Sequence, residues 1–164
     1  MCPRPDPVGD GQESVWAYPR PPIVVPSTRH VVVRFAGIVI CETRRALRLL
    51  ETSHPPTWYL PEADFVAGAL RPARGSSFCE WKGSASYLDV VAGEHVAQAK
   101  AWRYLTPSPD FAILVDHVAL YASAMDGCFV DGERVTPQPG GFYGGWITRD
   151  VVGPFKGIPG SMGW

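Results

Sequence analysis

Three short turns that contain glycine, each between two runs rich in β-branched residues, constrain the fold of this chain more than any other feature. The turns are Ala36 with Gly37 between VVVRF and IVIC, Ala92 with Gly93 between YLDVV and EHV, and Asp131 with Gly132 between CFV and ERV. Glycine adopts a positive φ at little cost, and the two-residue turns that match the twist of paired strands require that conformation. Each segment therefore predicts an antiparallel β-hairpin.

Prolines divide much of the remaining chain into segments about as long as a strand. With 17 Pro and 17 Gly in 164 residues, the chain predicts a single all-β, mainly antiparallel domain over residues 13–164. One or two short helices are also expected. Residues 109 to about 117 favour a helix because their apolar residues recur at a spacing of three and four. Residues 45–51 predict either a short helix or a strand.

Charge and hydropathy argue against several classes of partner. The 15 basic and 16 acidic residues give a formal net charge of −1, so we expect no nucleic-acid partner. The longest apolar runs, such as residues 23–25 and 31–33, are too short to cross a bilayer, so we expect no membrane partner. Residues 1–12 contain proline and acid where a signal peptide needs a basic start and an apolar stretch. They predict a disordered lead-in and a cytoplasmic location.

Cysteine spacing argues against a metal centre. The four cysteines, Cys2, Cys41, Cys79 and Cys128, lie far apart in sequence, and none forms a CxxC pair of the kind that binds zinc. The spacing also gives no sign of a disulfide framework. We therefore expect no metal ion and no cofactor.

The segment FCEWKG at residues 78–83 is the first candidate for a functional site. If it continues as a strand, alternation sends Glu80 and Lys82 to one face and Cys79 and Trp81 to the other. At the edge of a pocket, Lys82 would bind an anionic or carbonyl group and Glu80 would accept a proton or a hydrogen bond. The alternative is an ion pair beside an ordinary core strand.

The segment ETSHPPTWYLP at residues 51–61 is the second candidate. Glu51 and His54 lie beside a rigid pair of prolines and ahead of two aromatic residues, Trp58 and Tyr59. A preordered loop suits a binding site, and a histidine there could act as a general base with a pKa near the working pH. The alternative is a histidine that is hydrogen-bonded to the loop for structural reasons.

The C-terminal run from residue 137 to 164 is rich in glycine, proline and aromatic residues. It is too aromatic for a flexible linker, so we expect it to pack on the body of the domain as a clasp. Its rings, including Tyr143 and Trp146, could cover a ligand site or contact a second copy of the chain. It contains neither a phosphate-binding loop nor a dinucleotide-binding glycine motif.

Several of these blocks together resemble the bacterial family known as domain of unknown function 427. The blocks are ESVWAYPRPP, RALRLLETSHPPTWYLP, FCEWKG, and CFVDGERVTPQPGGFYGGWIT with DVVGPFKG. The resemblance implies a β-tent type of fold, in which two antiparallel sheets lean together at an edge. Members are sometimes labelled nucleotidyltransferase-like, which implies a bound nucleotide and usually Mg²⁺ held by paired carboxylates. This chain has no GS motif followed by a DxD pair, and the resemblance supplies no catalytic residue to carry over.

Taken together, these segments predict a small polar ligand in an aromatic-lined pocket between two sheets, with or without catalysis. The candidates for catalytic groups are Glu51, His54, Glu80 and Lys82. The candidates for ligand contacts are Trp58, Tyr59, Trp81, Trp102, Tyr104, Tyr143 and Trp146. Two alternatives stay open: a non-enzymatic interaction module or homodimer that uses the aromatic tail, and nucleotidyl transfer.

Overall fold

The protein is built from short strands joined by tight turns. The structure is a computed structural model, and it describes residues 2–79 and 81–164. The strands are β1 (Glu13–Ser14), β2 (Ile23–Ser27), β3 (Val31–Phe35), β4 (Ile38–Thr43), β5 (Ala46–Leu50), β6 (Thr57–Pro61), β7 (Leu70–Cys79), β8 (Gly83–Ala92), β9 (His95–Arg103), β10 (His117–Leu120), β11 (Gly127–Val130), β12 (Glu133–Arg134), β13 (Thr136–Pro137), β14 (Trp146–Ile147) and β15 (Val151–Val152). The prediction of an all-β, mainly antiparallel fold is confirmed.

Two antiparallel sheets form the body of the protein. The larger sheet has seven strands in the order β2-β5-β6-β10-β9-β8-β7, and the smaller has four in the order β12-β11-β3-β4. Two further pairs are short: β1 runs parallel to β15, and β13 runs antiparallel to β14. The order of the larger sheet brings β6 and β9, which are distant in sequence, to either side of β10.

All three predicted hairpins are present, and two have the predicted turn residues. The turns at Ala36 with Gly37 and at Asp131 with Gly132 have φ values of 50° and 81°, and of 49° and 83°. Positive φ at both central residues is the signature of a type I′ turn. The third hairpin is shifted by one residue, because Ala92 pairs with the first residue of β9 and the turn is formed by residues 93 and 94.

The helical content is smaller than the sequence predicts. Within the described residues, helical turns are of the 3-10 type, at Val15–Ala17, Glu62–Asp64, Pro109–Leu114 and Ala122–Ala124. The helix expected over residues 109–117 therefore ends early, since β10 begins at His117. The ambiguous segment 45–51 contains β5, which lies between two partner strands and is buried on both faces. None of the described helices is long and apolar enough to span a membrane.

Alternation along the strands of the larger sheet separates two apolar clusters. The first cluster fills the space between the two sheets and includes Val31, Val33, Ile40, Trp58, Leu60, Leu88, Val90, Val118, Leu120, Cys128 and Val130. The second cluster comprises Leu47, Leu49, Tyr59, Ala85, Tyr104, Phe111, Leu114 and Ala119. Successive side chains of a strand point to opposite faces, so Tyr59 and Leu60 belong to different clusters. The second cluster therefore covers the outer face of the larger sheet.

The C-terminal tail, residues 137–164, packs along the body. β15 adds to the N-terminal strand β1, and the ring of Trp164 lies 5.7 Å from that of Trp16. Trp16 Nε1 donates a hydrogen bond to the main-chain oxygen of Pro154 at 2.9 Å. Residues 2–12 contain no strand, and the main-chain N–H of Asp6 donates to Gly153 O at 2.8 Å. Both ends of the described chain thus meet on one side of the fold.

Candidate functional site

A cavity of about 450 Å³ lies on the outer face of the larger sheet. Its aromatic lining consists of Tyr59, Phe78, Trp81, Tyr87, Trp102, Tyr104, Tyr121, Phe142 and Tyr143. Its polar lining consists of Glu51, Thr57, His54, Ser77, Cys79, Lys82, Gln138 and Lys156. Such a mixture, aromatic walls with a few convergent polar groups, is typical of small-ligand sites.

The floor of the cavity is formed by side chains at alternate positions of central strands. Trp102 on β9 and Tyr104 just beyond it are two residues apart, so both face the cavity. Tyr59 on β6 lies beside them, with its hydroxyl accepting a hydrogen bond from Trp102 Nε1 at 3.4 Å. The rings of Tyr59 and Tyr104 are 6.4 Å apart. Regular strands therefore hold two of the predicted ligand contacts, Tyr59 and Trp102, in fixed positions, and Tyr104 follows directly after β9.

The sequence predicts a pocket between the two sheets. The cavity lies elsewhere, because apolar side chains fill the space between the sheets. Trp58 and Trp146, both predicted to contact a ligand, lie instead in this core. Their rings stack at 6.1 Å, and Trp146 Nε1 donates to Leu120 O at 3.4 Å. Trp58 precedes Tyr59 on the same strand, so the pleat sends the two rings to opposite faces.

The predicted strand over residues 78–83 is interrupted, because Trp81 and Lys82 lie in a hairpin turn. Cys79 at the end of β7 pairs with Gly83 at the start of β8, which leaves Trp81 and Lys82 in the turn. Ser108 anchors the turn, since its main-chain N–H donates to Lys82 O at 3.0 Å and its hydroxyl donates to Trp81 O. The predicted alternation is therefore wrong at Trp81 and Lys82.

The turn brings Cys79, Trp81 and Lys82 to the same cavity instead of to opposite faces. Glu80, the fourth candidate for a catalytic group, lies outside the described residues. The prediction for it stays a prediction.

Lys82 brings a positive charge against the aromatic floor. Its Nζ lies 5.5 Å from the centre of the Tyr104 ring, within the range of a cation–π contact. Burial alone disfavours the ammonium, but Tyr59, Cys79 and Glu51 around it hold the pKa of Lys82 above its usual value. Lys82 is therefore charged at neutral pH.

Glu51 and His54 face each other across the loop that precedes β6. The main-chain N–H of His54 donates to Glu51 O at 3.1 Å, and Pro55 follows directly. Nε2 of His54 lies 3.9 Å from a carboxylate oxygen of Glu51. The loop therefore brings both side chains to the cavity that Lys82 also lines.

Gln138 fixes the tautomer of His54. The amide oxygen of Gln138 accepts from the main-chain N–H of Gly145 at 3.0 Å, so its amide nitrogen must be the donor on the other side. That nitrogen lies 2.8 Å from Lys156 O and 3.1 Å from Nδ1 of His54. Nδ1 is therefore an acceptor, and the proton of the neutral ring is on Nε2.

His54 is neutral at physiological pH. Burial, with the positive charges of Lys156, Arg20 and Lys82, lowers the pKa of His54 to about 4. This value differs from the expected pKa near the working pH, because the loop is more buried than its polar sequence indicates. His54 thus presents an Nε2–H donor rather than a free basic nitrogen.

The C-terminal tail forms one wall of the cavity. The ring of Tyr143 packs edge-on against His54 at 4.8 Å, and Lys156 Nζ lies 5.7 Å from the centre of the Tyr143 ring. Tyr121 donates from its hydroxyl to Phe142 O at 3.0 Å. Gly144 permits this approach, since a Cβ there would lie 2.2 Å from Trp102 Cη2.

Gln138 and Lys156 are site residues that the sequence did not reveal. Gln138 is 84 residues from His54, and only folding of the tail brings them together. No local motif marks either residue. The signal that could have found them is the aromatic composition of the tail, which predicts close packing on the body.

Exposed rings surround the mouth of the cavity. Phe78 is 77% exposed, Phe142 is 75% exposed and Trp81 is 38% exposed, although all three line the cavity. The charged groups of the described lining are two lysines, Lys82 and Lys156, and one carboxylate, Glu51. Across residues 2–79 and 81–164, no group of three or more potential metal ligands is present.

The fold and the cavity define a class: an antiparallel β domain with an aromatic-lined cavity on the outer face of its larger sheet. The chain belongs to the family described as domain of unknown function (DUF427), whose model matches residues 23–131. The matched range contains the floor of the cavity and the turn with Lys82, whereas Gln138, Tyr143 and Lys156 lie beyond it. No curated protein matches the chain.

Proposed function

We propose that the protein binds a small polar molecule in the cavity on the larger sheet. The observation that carries the proposal is that Glu51 and His54, from one loop, and Lys82, from a distant turn, line one aromatic space of about 450 Å³. This volume is in the range of small-molecule pockets. An ion pair or a loop histidine with a purely structural role would not require an open cavity beside it.

If the site is catalytic, the geometry assigns its groups different tasks. His54 holds its proton on Nε2 and has its Nδ1 occupied by Gln138, so Glu51 is the better proton acceptor. Lys82 is charged and would stabilise negative charge that develops on an oxygen of the ligand. In a reaction that removes a proton from the ligand, Glu51 would accept that proton.

A metabolite library screened by ligand-observed NMR tests the proposal. We expect His54→Ala and Lys82→Ala to weaken binding of a hit by about tenfold or more, since each removes a charged or donor contact. His95→Ala and Arg44→Ala are the controls, because both residues are exposed and lie outside the cavity lining. Equal affinity in the parent and both cavity variants would overturn the proposal.

The exposed rings at the mouth favour a second candidate function, an interaction module or homodimer. Phe78 and Phe142 are large, apolar and mostly exposed, as expected of a contact surface. This function predicts self-association or partner binding that is lost in a Phe78→Ser, Phe142→Ser double variant. Analytical ultracentrifugation measures it, and an unchanged sedimentation profile over a range of concentrations would count against a homodimer.

Nucleotidyl transfer has weaker support. The two cavity lysines could contact phosphates, but the described lining offers a single carboxylate where Mg²⁺ is usually held by a pair. This function requires ATP binding that Mg²⁺ strengthens. Calorimetry with and without Mg²⁺ would decide, and no heat of binding in either titration would remove it.

A further inference from the structure

We infer that the ligand of this cavity is a planar organic anion, with its apolar body between the aromatic walls and its acidic group facing Lys82, Lys156 and His54. The inference rests on the proposed function, because it names the class of molecule that the same cavity binds. A carboxylate and a phosphate share the required chemistry, and matched probes separate them.

The two cations of the cavity are placed to receive an anion. Lys82 Nζ lies 5.5 Å from the centre of the Tyr104 ring, and Lys156 Nζ lies 5.7 Å from that of Tyr143. Each ammonium thus lies against an aromatic wall. Lys156 Nζ also donates to Trp164 O at 3.2 Å, which uses one of its three hydrogens. An anionic group in the cavity would meet a cation at either of these walls.

Cationic donors outnumber anionic acceptors in the described lining of the cavity. Both ammonium groups can only donate, and Gln138 fixes His54 as an Nε2–H donor. Trp102 Nε1 already donates to Tyr59. The described lining offers one carboxylate acceptor, Glu51, so a ligand that complements this set carries acceptors at its polar end.

Lys156 lies close to His54. The ring of Tyr143 lies 4.8 Å from that of His54, and Lys156 Nζ lies 5.7 Å from the centre of the same Tyr143 ring. The amide nitrogen of Gln138 also joins the two residues, at 2.8 Å from Lys156 O and 3.1 Å from His54 Nδ1. His54 and Lys156 thus form one polar end, and Lys82 adds its charge to the lining of the same cavity.

The aromatic walls indicate the shape of the apolar body of the ligand. Tyr59, Trp102 and Tyr104 form a floor on rigid strands, and Trp81 faces the same space from the hairpin turn. Flat rings present large apolar faces at a small loss of conformational entropy, and they stack favourably on aromatic side chains. A planar body fits these walls better than a flexible chain does.

The test is a set of four matched probes measured by isothermal titration calorimetry on the full chain. The probes are 2-naphthoate, 2-naphthyl phosphate, neutral 2-naphthamide and cationic 2-naphthylmethylamine. We expect one or both anions to bind at least tenfold more tightly than the amide, and the amine to bind most weakly. The stronger of the two anions identifies carboxylate or phosphate as the natural acidic group.

Substitutions then assign the contacts. Lys82→Met and Lys156→Met each remove a charge while keeping most of the apolar stem, and each should weaken the anion about 10- to 100-fold with little effect on the amide. Glu51→Gln should strengthen the anion by about threefold or more, because it removes a like charge. Arg44→Met, at an exposed position outside the cavity lining, should change neither probe.

The salt dependence of the parent protein gives a readout that needs no variant. Added salt should weaken the anion more than the amide, because screening acts on the charged contact alone. If the amide or the amine binds as tightly as both anions, the inference is overturned while the proposed function stands. If no probe binds but library hits respond to Lys82→Ala, the inference again fails alone. The absence of any hit would overturn both.

Discussion

At the scale of single residues, His54 makes the stability of the fold depend on pH. Its pKa is about 4 in the folded protein, against an ordinary value of 6.5 when the chain is unfolded, so between these values the unfolded state binds more protons. Stability is therefore full above pH 6.5 and falls as the pH drops towards 4, by roughly 3 kcal/mol from this residue. Urea unfolding at pH 7, 5.5 and 4 measures the loss.

The variant His54→Asn isolates this contribution. Asparagine keeps an acceptor for the amide of Gln138 but does not titrate, so its pH profile should be flatter than that of the parent. The same substitution at exposed His95 is the control and should leave the parent profile unchanged. If the His54→Asn and parent profiles run parallel between pH 7 and 4, His54 is not held neutral in the fold.

At the scale of elements, the tail depends on a glycine to reach the floor of the cavity. A Cβ on Gly144 would lie 2.2 Å from Trp102 Cη2, and that ring sits on a central strand that cannot easily move. Gly144→Ala should therefore displace the tail and destabilise the protein by about 1–3 kcal/mol. Thermal unfolding followed by tryptophan fluorescence measures the change.

Gly163→Ala is the matched control, because nothing lies within 4 Å of a Cβ at that position. It should leave the midpoint of unfolding almost unchanged. Equal midpoints for the two alanine variants would show that the tail does not press on Trp102 as the structure describes.

The elements also show how far the sequence determines the fold. The hairpins follow from local turn chemistry, and those at Gly37 and Gly132 form where the sequence predicts them. The turn at residues 93–94 is shifted by one, because strand register depends on the partner strand as well as on the turn. Local sequence does not determine the structure at residues 45–51, where pairing with two neighbouring strands selects a strand over a helix. Nor does it at residues 78–83, where hydrogen bonds from Ser108 accompany a turn in place of a continuous strand.

The candidate site was also predictable only in part, because some of its residues meet only through tertiary contacts. Residue chemistry marked Glu51, His54 and Lys82, and the structure places all three around one cavity. Their partners Gln138 and Lys156 come from the distant tail, and tertiary contacts of that kind leave no local pattern. Trp58 lies in the core instead of the cavity, because alternation along β6 sends its ring to the face opposite that of Tyr59.

At the scale of the whole molecule, the larger sheet performs two separate tasks with its two faces. One face packs on the smaller sheet and forms the main core, and the other forms the floor of the cavity. Successive residues of a strand point to opposite faces, so one residue packs in the core and its neighbour in sequence faces the cavity side. Stability and binding should therefore be separable by substitutions at adjacent positions.

Tyr87 and Leu88 on β8 provide the clearest test of this division. Leu88 is 1% exposed in the main core, so Leu88→Ala should destabilise the protein by about 2–5 kcal/mol. Tyr87 lines the cavity, so Tyr87→Ala should change stability by less than about 1 kcal/mol while weakening ligand binding. Chemical unfolding and calorimetry measure the two effects. A large loss of stability in both variants would mean that the two faces are not independent, because a residue of the binding face would then support the core as well.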